Sequence, residues 1–378
     1  MLREKLSFCQ PGQHADGTWL SQPVTWENEW DCCGHEDSSY HGINREWIKR
    51  MGRCRQHPLN LTGDPKRDPL THGPFCCTRK VTDATWVPRS CRLHDWSSHH
   101  FCGALANRSI LLAGDSTMEQ FASSLMSALH GTDCEGLIIY GGSDFLVHAS
   151  PGYAERGHSW LTWVERYKPD LVVLSTGAHQ FENMSGTNKW KPEYHYFNAS
   201  RYNATLQEIF DTALQKLPGR VIWKTTNAGG CPRHPRAHGM LNASPAVDSN
   251  YDAEDTESVR SFFPDLDRNV YTKFQYSYFP VMDHIARAQA ARTGVAVLDA
   301  APLYQRLDAH VGSLSRYPND CLHFCLNTNG PMSLLNVLLH HVLLYGRRHG
   351  NSTPPARLAP ERANSTPALH HVPSSGLR

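Results

Sequence analysis

The sequence predicts an α/β fold in three layers: a parallel β-sheet covered by helices on both faces, preceded by an irregular region rich in cysteine. Five short apolar runs alternate with segments of helical periodicity between residues 105 and 348. Continuously apolar strands are typical of parallel sheets, because helices bury both of their faces. The chain has 378 residues, of which 40% are hydrophobic, enough for one large domain of this kind.

The five apolar runs are the predicted strands of this sheet. They are RSILLAG at 108–114, GLIIYGG at 136–142, DLVVLSTG at 170–177, GRVIWKTT at 219–226 and GVAVLDA at 294–300. The segment after the first run, STMEQFASSLMSALHG, has apolar residues at helical spacing. Further helices are predicted at about 201–216, 268–292 and 331–346. Because parallel sheets place their chemistry at the carboxyl ends of the strands, a functional site is expected just after these runs.

The two ends of the chain lack this periodicity. Residues 1–104 are rich in Cys, Trp, His, Gly and Pro, and we interpret them as an irregular, disulfide-tied region packed on the domain at 105–348. The tail at 349–378 is rich in Pro, Ser and Ala, a composition typical of disorder.

Charge and hydropathy argue against two classes of partner. The formal net charge of +1 gives no electrostatic footprint for nucleic acid or for an anionic membrane. No stretch reaches the roughly 20 apolar residues that a membrane helix needs. We therefore expect no nucleic-acid partner and no membrane span in this chain.

Cysteines and glycosylation sequons favour an oxidising compartment. The 12 cysteines are even in number, and N-x-S/T sequons begin at Asn60, Asn107, Asn183, Asn198, Asn203, Asn242, Asn351 and Asn364. Together they favour a lumen or the outside of a cell over a reduced cytosol with chance sequons. The first residues, MLREKLSFCQPGQ, contain no apolar run typical of a signal peptide or anchor. Either a leader is missing from this sequence or the protein is not secreted.

A serine stands where the first predicted strand turns into a helix. The strand ends in Gly114-Asp115-Ser116, so the Ser116 hydroxyl is expected at the edge of the sheet. The N-terminus of the following helix also offers unpaired N–H groups to a developing oxyanion. Serine is equally common as a plain helix N-cap, and the two roles are compatible.

A candidate base and its orienting acid lie together near the end of the chain. A serine nucleophile needs both, and Asp320 and His323 supply them three residues apart. One alternative is a surface turn with an incidental acid and histidine. Another is a metal site built from Cys321, His323 and Cys325, but alternate residues do not easily surround one tetrahedral ion without a distant partner. We predict disulfides at these two cysteines and no metal.

Several blocks of sequence accompany these motifs in a fixed order. They are ATWVPRSCRLHDW at 84–96, GDS at 114–116, LSTGAHQF at 174–181, VIWKTTNAGGC at 221–231, LYQRLDAH at 303–310 and DCLHFC at 320–325. Over about residues 85–344 they resemble the PC-esterase group of the GDSL/SGNH superfamily, and its trichome birefringence-like polysaccharide O-acetyltransferases above all. The resemblance implies a flavodoxin-like, SGNH-type sheet and a glycoprotein of the Golgi lumen or the extracellular space.

The resemblance also implies roles for individual residues. Ser116 would be the nucleophile, His323 the base and Asp320 the acid that orients it. The N–H of Ser116 itself and that of a glycine after the second strand, Gly141 or Gly142, would contribute to the oxyanion hole.

A second oxyanion donor and supporting residues are implied less directly. The family places an asparagine after the third strand, and Ser175 stands at that position in this sequence. The donor would then be the Gly177 backbone or a side chain such as His179 or Asn183. Asp308 and His310 match a further block, where we favour a structural role, and Asp115 is a supporting candidate beside the nucleophile.

The leading functional prediction is an O-acetyltransferase acting on carbohydrate hydroxyls through an acyl-enzyme. An acetyl donor and a carbohydrate or polysaccharide acceptor would be its partners, without a cofactor. A carbohydrate acetylesterase would use the same triad with water as acceptor, and the DCLHFC block favours the transferase. A catalytically inactive glycan-binding protein is a further alternative, which the absent asparagine favours.

Overall fold

A computed structural model of the chain describes residues 6–10, 13–21, 84–129, 131–147, 159–180, 197–229, 276–310, 321–324 and 331–348. The described strands are β1 Gly17–Ser21, β2 Ala84–Pro88, β3 Ile110–Gly114, β4 Ile138–Gly142, β5 Leu171–Ser175, β6 Val221–Lys224 and β7 Ala296–Leu298. The described α-helices are α1 Ser98–Leu105, α2 Ser116–Ala128, α3 Trp160–Tyr167, α4 Ala199–Lys216, α5 Phe279–Thr293 and α6 Pro331–Arg348. Short 3-10 helices span Gln13–Ala15, Glu135–Leu137, Tyr276–Tyr278, Ala301–Gln305 and Leu307–Ala309.

The five predicted strands form one parallel sheet, in the order β4-β3-β5-β6-β7. Numbered within this sheet alone, the order is 2-1-3-4-5, which is the flavodoxin-like arrangement. The predicted fold class is therefore confirmed. Every residue of β3 and of β5 is buried, as expected for strands covered on both faces.

Helices flank the sheet on both sides. Helix α2 packs against α6, and α4 packs against α5. The chain leaves β3 in one direction towards β4 and later crosses in the other direction to β5 and β6. Because such crossovers are right-handed, opposite directions place the connecting helices on opposite faces. Within the described residues, no helix combines the length and the apolar character needed to cross a bilayer.

Two helices differ from the sequence-based expectation. Within the predicted helix at 268–292, residues 276–278 form a 3-10 turn and α5 begins only at Phe279, whereas residues 268–275 lie outside the described part. Helix α3 was not predicted, because its eight residues, WLTWVERY, are too few to show a clear period. Its first turn is capped by Ser159, whose side chain accepts from the Leu161 N–H at 3.3 Å.

The N-terminal region includes a small ribbon that docks on the main sheet. Strands β1 and β2 pair antiparallel, with Trp19 opposite Trp86 and their rings in edge contact at 5.6 Å. The Trp19 indole donates to the Pro302 carbonyl at 2.9 Å, just beyond β7. A disulfide between Cys9 and Cys91 fixes the start of the chain to the segment after β2. The predicted disulfide-tied region thus contains ordered elements that its composition did not reveal.

The carboxyl ends of the central strands meet closely. Gly114, the last residue of β3, lies opposite Gly142 of β4 and Ser175 of β5. A crevice is expected here, because the connections from β3 and to β5 depart on opposite sides of the sheet at this topological switch point. The sheet therefore directs a functional site to the residues that follow Gly114 and Ser175.

Substituting Gly114 by alanine should destabilise the protein. An added Cβ would lie 2.3 Å from the Ser175 carbonyl oxygen, and this backbone atom of a central strand cannot move aside cheaply. We expect Gly114→Ala to lower the free energy of unfolding by about 1–3 kcal/mol, measured by urea denaturation. The matched control is Gly103→Ala in α1, where a Cβ meets nothing within 4 Å. This control should be neutral or stabilising by about 0.5–1 kcal/mol, and equal stability of both variants would contradict the packing argument.

Candidate active site

Ser116 is the first residue of α2 and follows β3 after a single residue, Asp115. Its side chain is largely buried, with the residue 5% exposed. The position puts the hydroxyl at the switch point of the sheet, where the ends of β3 and β5 lie side by side.

His323 lies directly against this serine. Its Nε2 is 2.7 Å from the Ser116 Oγ, although 207 residues separate the two in sequence. The distance falls within the range of about 2.6–3.2 Å that joins a nucleophile to its general base. Of the same loop the structure describes residues 321–324, so Asp320, the predicted orienting acid, and Cys325 lie outside the described residues.

Asp115, not Ser116, provides the side-chain cap at the start of α2. Its carboxylate accepts hydrogen bonds from the Thr117 N–H at 2.9 Å and from the Thr117 hydroxyl at 2.7 Å. Its carbonyl accepts from the N–H groups of Met118 and Glu119 at 3.0 and 3.1 Å. The helix is therefore capped without the Ser116 hydroxyl, which bonds to His323 instead.

His310 supports the histidine loop through its backbone. It is fully buried, its Nδ1–H donates to the His323 carbonyl at 3.2 Å, and its ring stacks on Phe324 with centroids 4.2 Å apart. Asp308 lies in the 3-10 helix Leu307–Ala309, and its side chain is outside what the structure describes. His310 thus contacts the loop of the candidate base and not the Ser116 hydroxyl. Sequence reasoning missed Gln120, whose side chain bonds the Phe324 backbone.

The two glycines that end β4, Gly141 and Gly142, lie against the Trp163 indole. A Cβ on Gly141 would lie 2.6 Å from the Trp163 indole, whose Nε1–H donates to the Gly142 carbonyl at 2.9 Å. The next residue, Ser143, donates its N–H to the Gly114 carbonyl at 2.8 Å. The end of β4 is therefore tied to the end of β3, one residue before Asp115.

The loop after β5 closes the other side of the site. Gly177 allows a close approach, since a Cβ there would lie 2.6 Å from the Thr226 Oγ1. His179 lies in the same loop, with its Nε2 4.0 Å from an Asp144 carboxylate oxygen. Asn183, the other side-chain candidate for an oxyanion donor, is outside the described residues.

A buried ammonium group lies behind the site. Lys224, at the end of β6, is 0% exposed, and its Nζ donates to the Thr225 carbonyl at 2.9 Å and to the Ser175 hydroxyl at 3.5 Å. Burial lowers the pKa of Lys224 to about 8, against the opposing effect of the Asp115 and Asp283 carboxylates. The Ser175 hydroxyl is thus engaged with this lysine.

Asp283 is another buried ionisable group of this region. It accepts from the Thr226 N–H at 2.7 Å and from the Tyr304 hydroxyl at 2.9 Å. Burial raises the pKa of Asp283 to about 7, although Arg287 acts in the opposite direction. Arg287 itself is bonded by its Nη1 to both carboxylate oxygens of Asp299, each at 3.1 Å. The carboxyl ends of β6 and β7 therefore carry a buried network of polar and charged side chains.

The described cysteines are all in disulfides. Cys102 is bonded to Cys134, and Cys321 is also disulfide-bonded. The predicted disulfide at Cys321 is confirmed, and it holds the chain two residues before His323. Among the described residues, no group of three or more His, Cys, Asp or Glu side chains is placed to bind a metal ion.

Comparisons with known proteins found similarity at the level of structure alone. No protein-family model matches the chain, and no curated protein matches it. The crystal structure of LAE5, an alpha/beta hydrolase enzyme from the metagenome of Lake Arreo, Spain, is similar with 16% identity and a TM-score of 0.36, covering 62% of this chain and 95% of that chain. The crystal structure of an acetyl xylan esterase, AlAXEase, is similar with 15% identity and a TM-score of 0.33, covering 61% of this chain and 97% of that chain. Likeness of this degree does not by itself indicate a shared function.

The raised pKa of Asp283 predicts how stability changes with pH. Between its ordinary value of 3.8 and about 7, the unfolded chain has released this proton while the folded protein still holds it. The contribution of Asp283 to stability is therefore greatest at low pH and is lost as pH rises towards 7, by at most about 1.4 kcal/mol per pH unit. We expect the difference in unfolding free energy between wild type and Asp283→Asn to fall across this window, measured by urea denaturation from pH 4 to 8.

A surface carboxylate supplies the control for this measurement. Asp211 forms an exposed ion pair with Arg292 at 3.1 Å. Asp211→Asn should change the unfolding free energy by less than about 1 kcal/mol at any pH, because exposed ion pairs contribute little. A wild-type minus Asp283→Asn difference that rises with pH would show that the buried carboxyl is ionised in the folded protein.

Proposed function

We propose that this protein is an enzyme that transfers an acetyl group through a covalent intermediate on Ser116. The observation that carries the proposal is the 2.7 Å distance between the Ser116 hydroxyl and the His323 imidazole at the switch point of the sheet. A hydroxyl is a weak nucleophile on its own, and an adjacent base is what activates it. Asp115 caps the helix, so the hydroxyl has no competing structural task.

The first half of the reaction forms the acyl-enzyme. The Ser116 oxygen attacks the carbonyl carbon of the acetyl donor while its proton passes to Nε2 of His323. The bond between the acetyl carbon and the leaving group then breaks, and the imidazolium returns its proton to the leaving group. Asp320, three residues before the base, is proposed to orient the imidazole and stabilise its charged form.

The oxyanion formed in this step needs hydrogen-bond donors. Among the first N–H groups of α2, those of Thr117, Met118 and Glu119 are bonded to Asp115. We therefore assign the N–H of Ser116 itself to the oxyanion, where the positive end of the helix dipole assists it. Gly142, the last residue of β4, and Gly177, two residues beyond β5, are the proposed sources of the remaining donors.

The second half of the reaction consumes an acceptor hydroxyl. His323 takes the proton of that hydroxyl, whose oxygen attacks the acetyl carbon, and Ser116 recovers its proton as the ester bond breaks. A sugar hydroxyl as acceptor makes the protein an O-acetyltransferase, whereas water makes it an acetylesterase. The resemblance of the sequence blocks to the trichome birefringence-like branch supports a carbohydrate acceptor and the transferase. No cofactor takes part in this scheme.

We further propose that the protein works in an oxidising compartment, the Golgi lumen or the extracellular space. Disulfides at Cys9–Cys91 and Cys102–Cys134, together with the disulfide at Cys321, support this location. Such bonds persist outside the cytosol and are rare within it.

Ser116→Ala and His323→Ala should each remove nearly all turnover of a model acetyl ester. The loss should be about 10³-fold or more, and the double variant should be little worse than either single one, because nucleophile and base act as a unit. The measurements are acetate release and labelling of Ser116 by a fluorophosphonate probe. Ser123→Ala is the matched control, since it removes a hydroxyl of the same helix that donates to the Glu119 carbonyl at 2.8 Å. Full activity of Ser116→Ala would reject the nucleophile, and an unlabelled Ser116 in the wild type would favour the glycan-binding alternative.

The fate of the acetyl group should separate transferase from esterase. With an acetyl ester and an oligosaccharide acceptor present, we expect acetylated oligosaccharide to form at the expense of acetate, because both acceptors compete for one acyl-enzyme. Mass spectrometry of the oligosaccharide and an acetate assay together measure this partition. Unchanged acetate release without acetylated sugar, across a series of oligosaccharides, would identify the protein as a hydrolase.

A further inference from the structure

A buried amide ties the segment that carries His323 to the helix that carries Ser116. Gln120 is 0% exposed in α2, and its side chain bonds both backbone polar groups of Phe324, the residue after His323. Its Oε1 accepts from the Phe324 N–H at 3.1 Å, and its Nε2 donates to the Phe324 carbonyl. Two bonds from one planar side-chain amide fix both the position and the orientation of the Phe324 backbone.

Gln120 stands one helical turn after the serine. Residues four apart in an α-helix share a face, with about 5–6 Å between their Cβ atoms. Ser116 and Gln120 are thus held on one rigid turn of α2, while His323 and Phe324 are neighbours in the other segment. These contacts form a closed ring. It runs from the Ser116 hydroxyl to the His323 imidazole, along the backbone to Phe324, across to the Gln120 amide and back through α2 to Ser116. The 2.7 Å distance from Nε2 to Oγ is one link of that ring.

The peptide between His323 and Phe324 is also held on the side opposite Gln120. His310 stacks on Phe324 and donates to the His323 carbonyl, so it limits movement away from α2. Neither of these contacts reaches the serine helix. Among the hydrogen bonds described for residues 321–324, besides the one between His323 and Ser116, those of Gln120 connect this segment to the helix of the nucleophile.

We propose that Gln120 is a positioning residue that sets His323 against Ser116, an inference that rests on the proposed serine mechanism. It acts through the Phe324 backbone, one residue from the imidazole. A misplacement of about 1 Å can cost about 100-fold in rate. Loosening the backbone at Phe324 should therefore lower turnover and leave substrate binding nearly unchanged.

Three variants test the proposal. Gln120→Met keeps the length of the side chain and loses both hydrogen bonds. Gln120→Glu keeps an acceptor for the Phe324 N–H but, when ionised, offers no donor to the carbonyl. The control is Ser124→Ala, because Ser124 lies on the same helix and accepts from the Asn336 amide of α6 at 3.2 Å. Ser124→Ala thus removes one buried hydrogen bond of α2 away from His323.

With a model acetyl ester, kcat of Gln120→Met should fall by about 10- to 100-fold while KM changes by less than about two-fold. Gln120→Glu should lie between this variant and the wild type, and Ser124→Ala should stay within about two-fold of the wild type. In a His323→Ala background, Gln120→Met should cause no further loss, because there is no base left to position. An unchanged kcat, an equal loss in the control, or a full additional loss in that background would overturn the proposal.

A second measurement does not depend on activity. In ¹⁵N-histidine NMR spectra, Ser116→Ala should shift the His323 imidazole signals of the wild type, because it removes their hydrogen bond. When Gln120→Met is already present, Ser116→Ala should shift the His323 signals by less than about half as much. A wild type that shows this coupling but no turnover would reject the proposed function alone, whereas turnover without the coupling would reject the positioning role. If Gln120→Met does not fold, Gln120→Glu provides both readouts, and if neither folds, Gln120 serves the fold and the proposal is wrong.

Discussion

The burial of β3 on both faces is the constraint on which the rest of the structure depends. All five of its residues are buried, and it pairs with β4 on one side and β5 on the other. A tight turn leads from β3 into the helix α2, and Gly114 permits the close contact with Ser175 where this turn begins. Whatever residue follows the turn is presented at the switch point of the sheet, and in this chain that residue is Ser116.

The two sides of the site are fixed by different means. Ser116 begins a capped helix that follows a buried strand and a tight turn directly in sequence, so local structure is enough to place it. The described part of the loop that carries His323, residues 321–324, contains no helix or strand, and side chains from elsewhere hold its backbone. A disulfide at Cys321 and buried hydrogen bonds from residues far away along the chain hold this segment.

Sequence patterns predicted the sheet well because each of its strands is a continuous apolar run between polar turns. They also singled out Ser116 and His323 as a candidate pair, because the order and spacing of several sequence blocks are more specific than either short motif alone. Sequence patterns did not predict a role for Gln120, because its partner is the backbone of Phe324 and residues of every type have the same backbone carbonyl. Lys224 was missed for another reason: a lysine at a strand end is normally solvated, and only the tertiary structure shows that it is buried beside Ser175. The ribbon of β1 and β2 was not predicted, because its two strands are short and far apart in sequence.

The docking of the N-terminal ribbon has a consequence for the order in which the protein assembles. The Trp19 indole bonds the Pro302 carbonyl, and the Cys9 carbonyl accepts from His341 of α6 at 2.8 Å. Domains emerge from the ribosome N-terminal end first. The surface that receives the ribbon does not exist until β7 and α6 have been synthesised, and contacts so distant in sequence require a large loop to close. The segment that holds Cys9 and Trp19 is therefore synthesised well before the residues that it contacts.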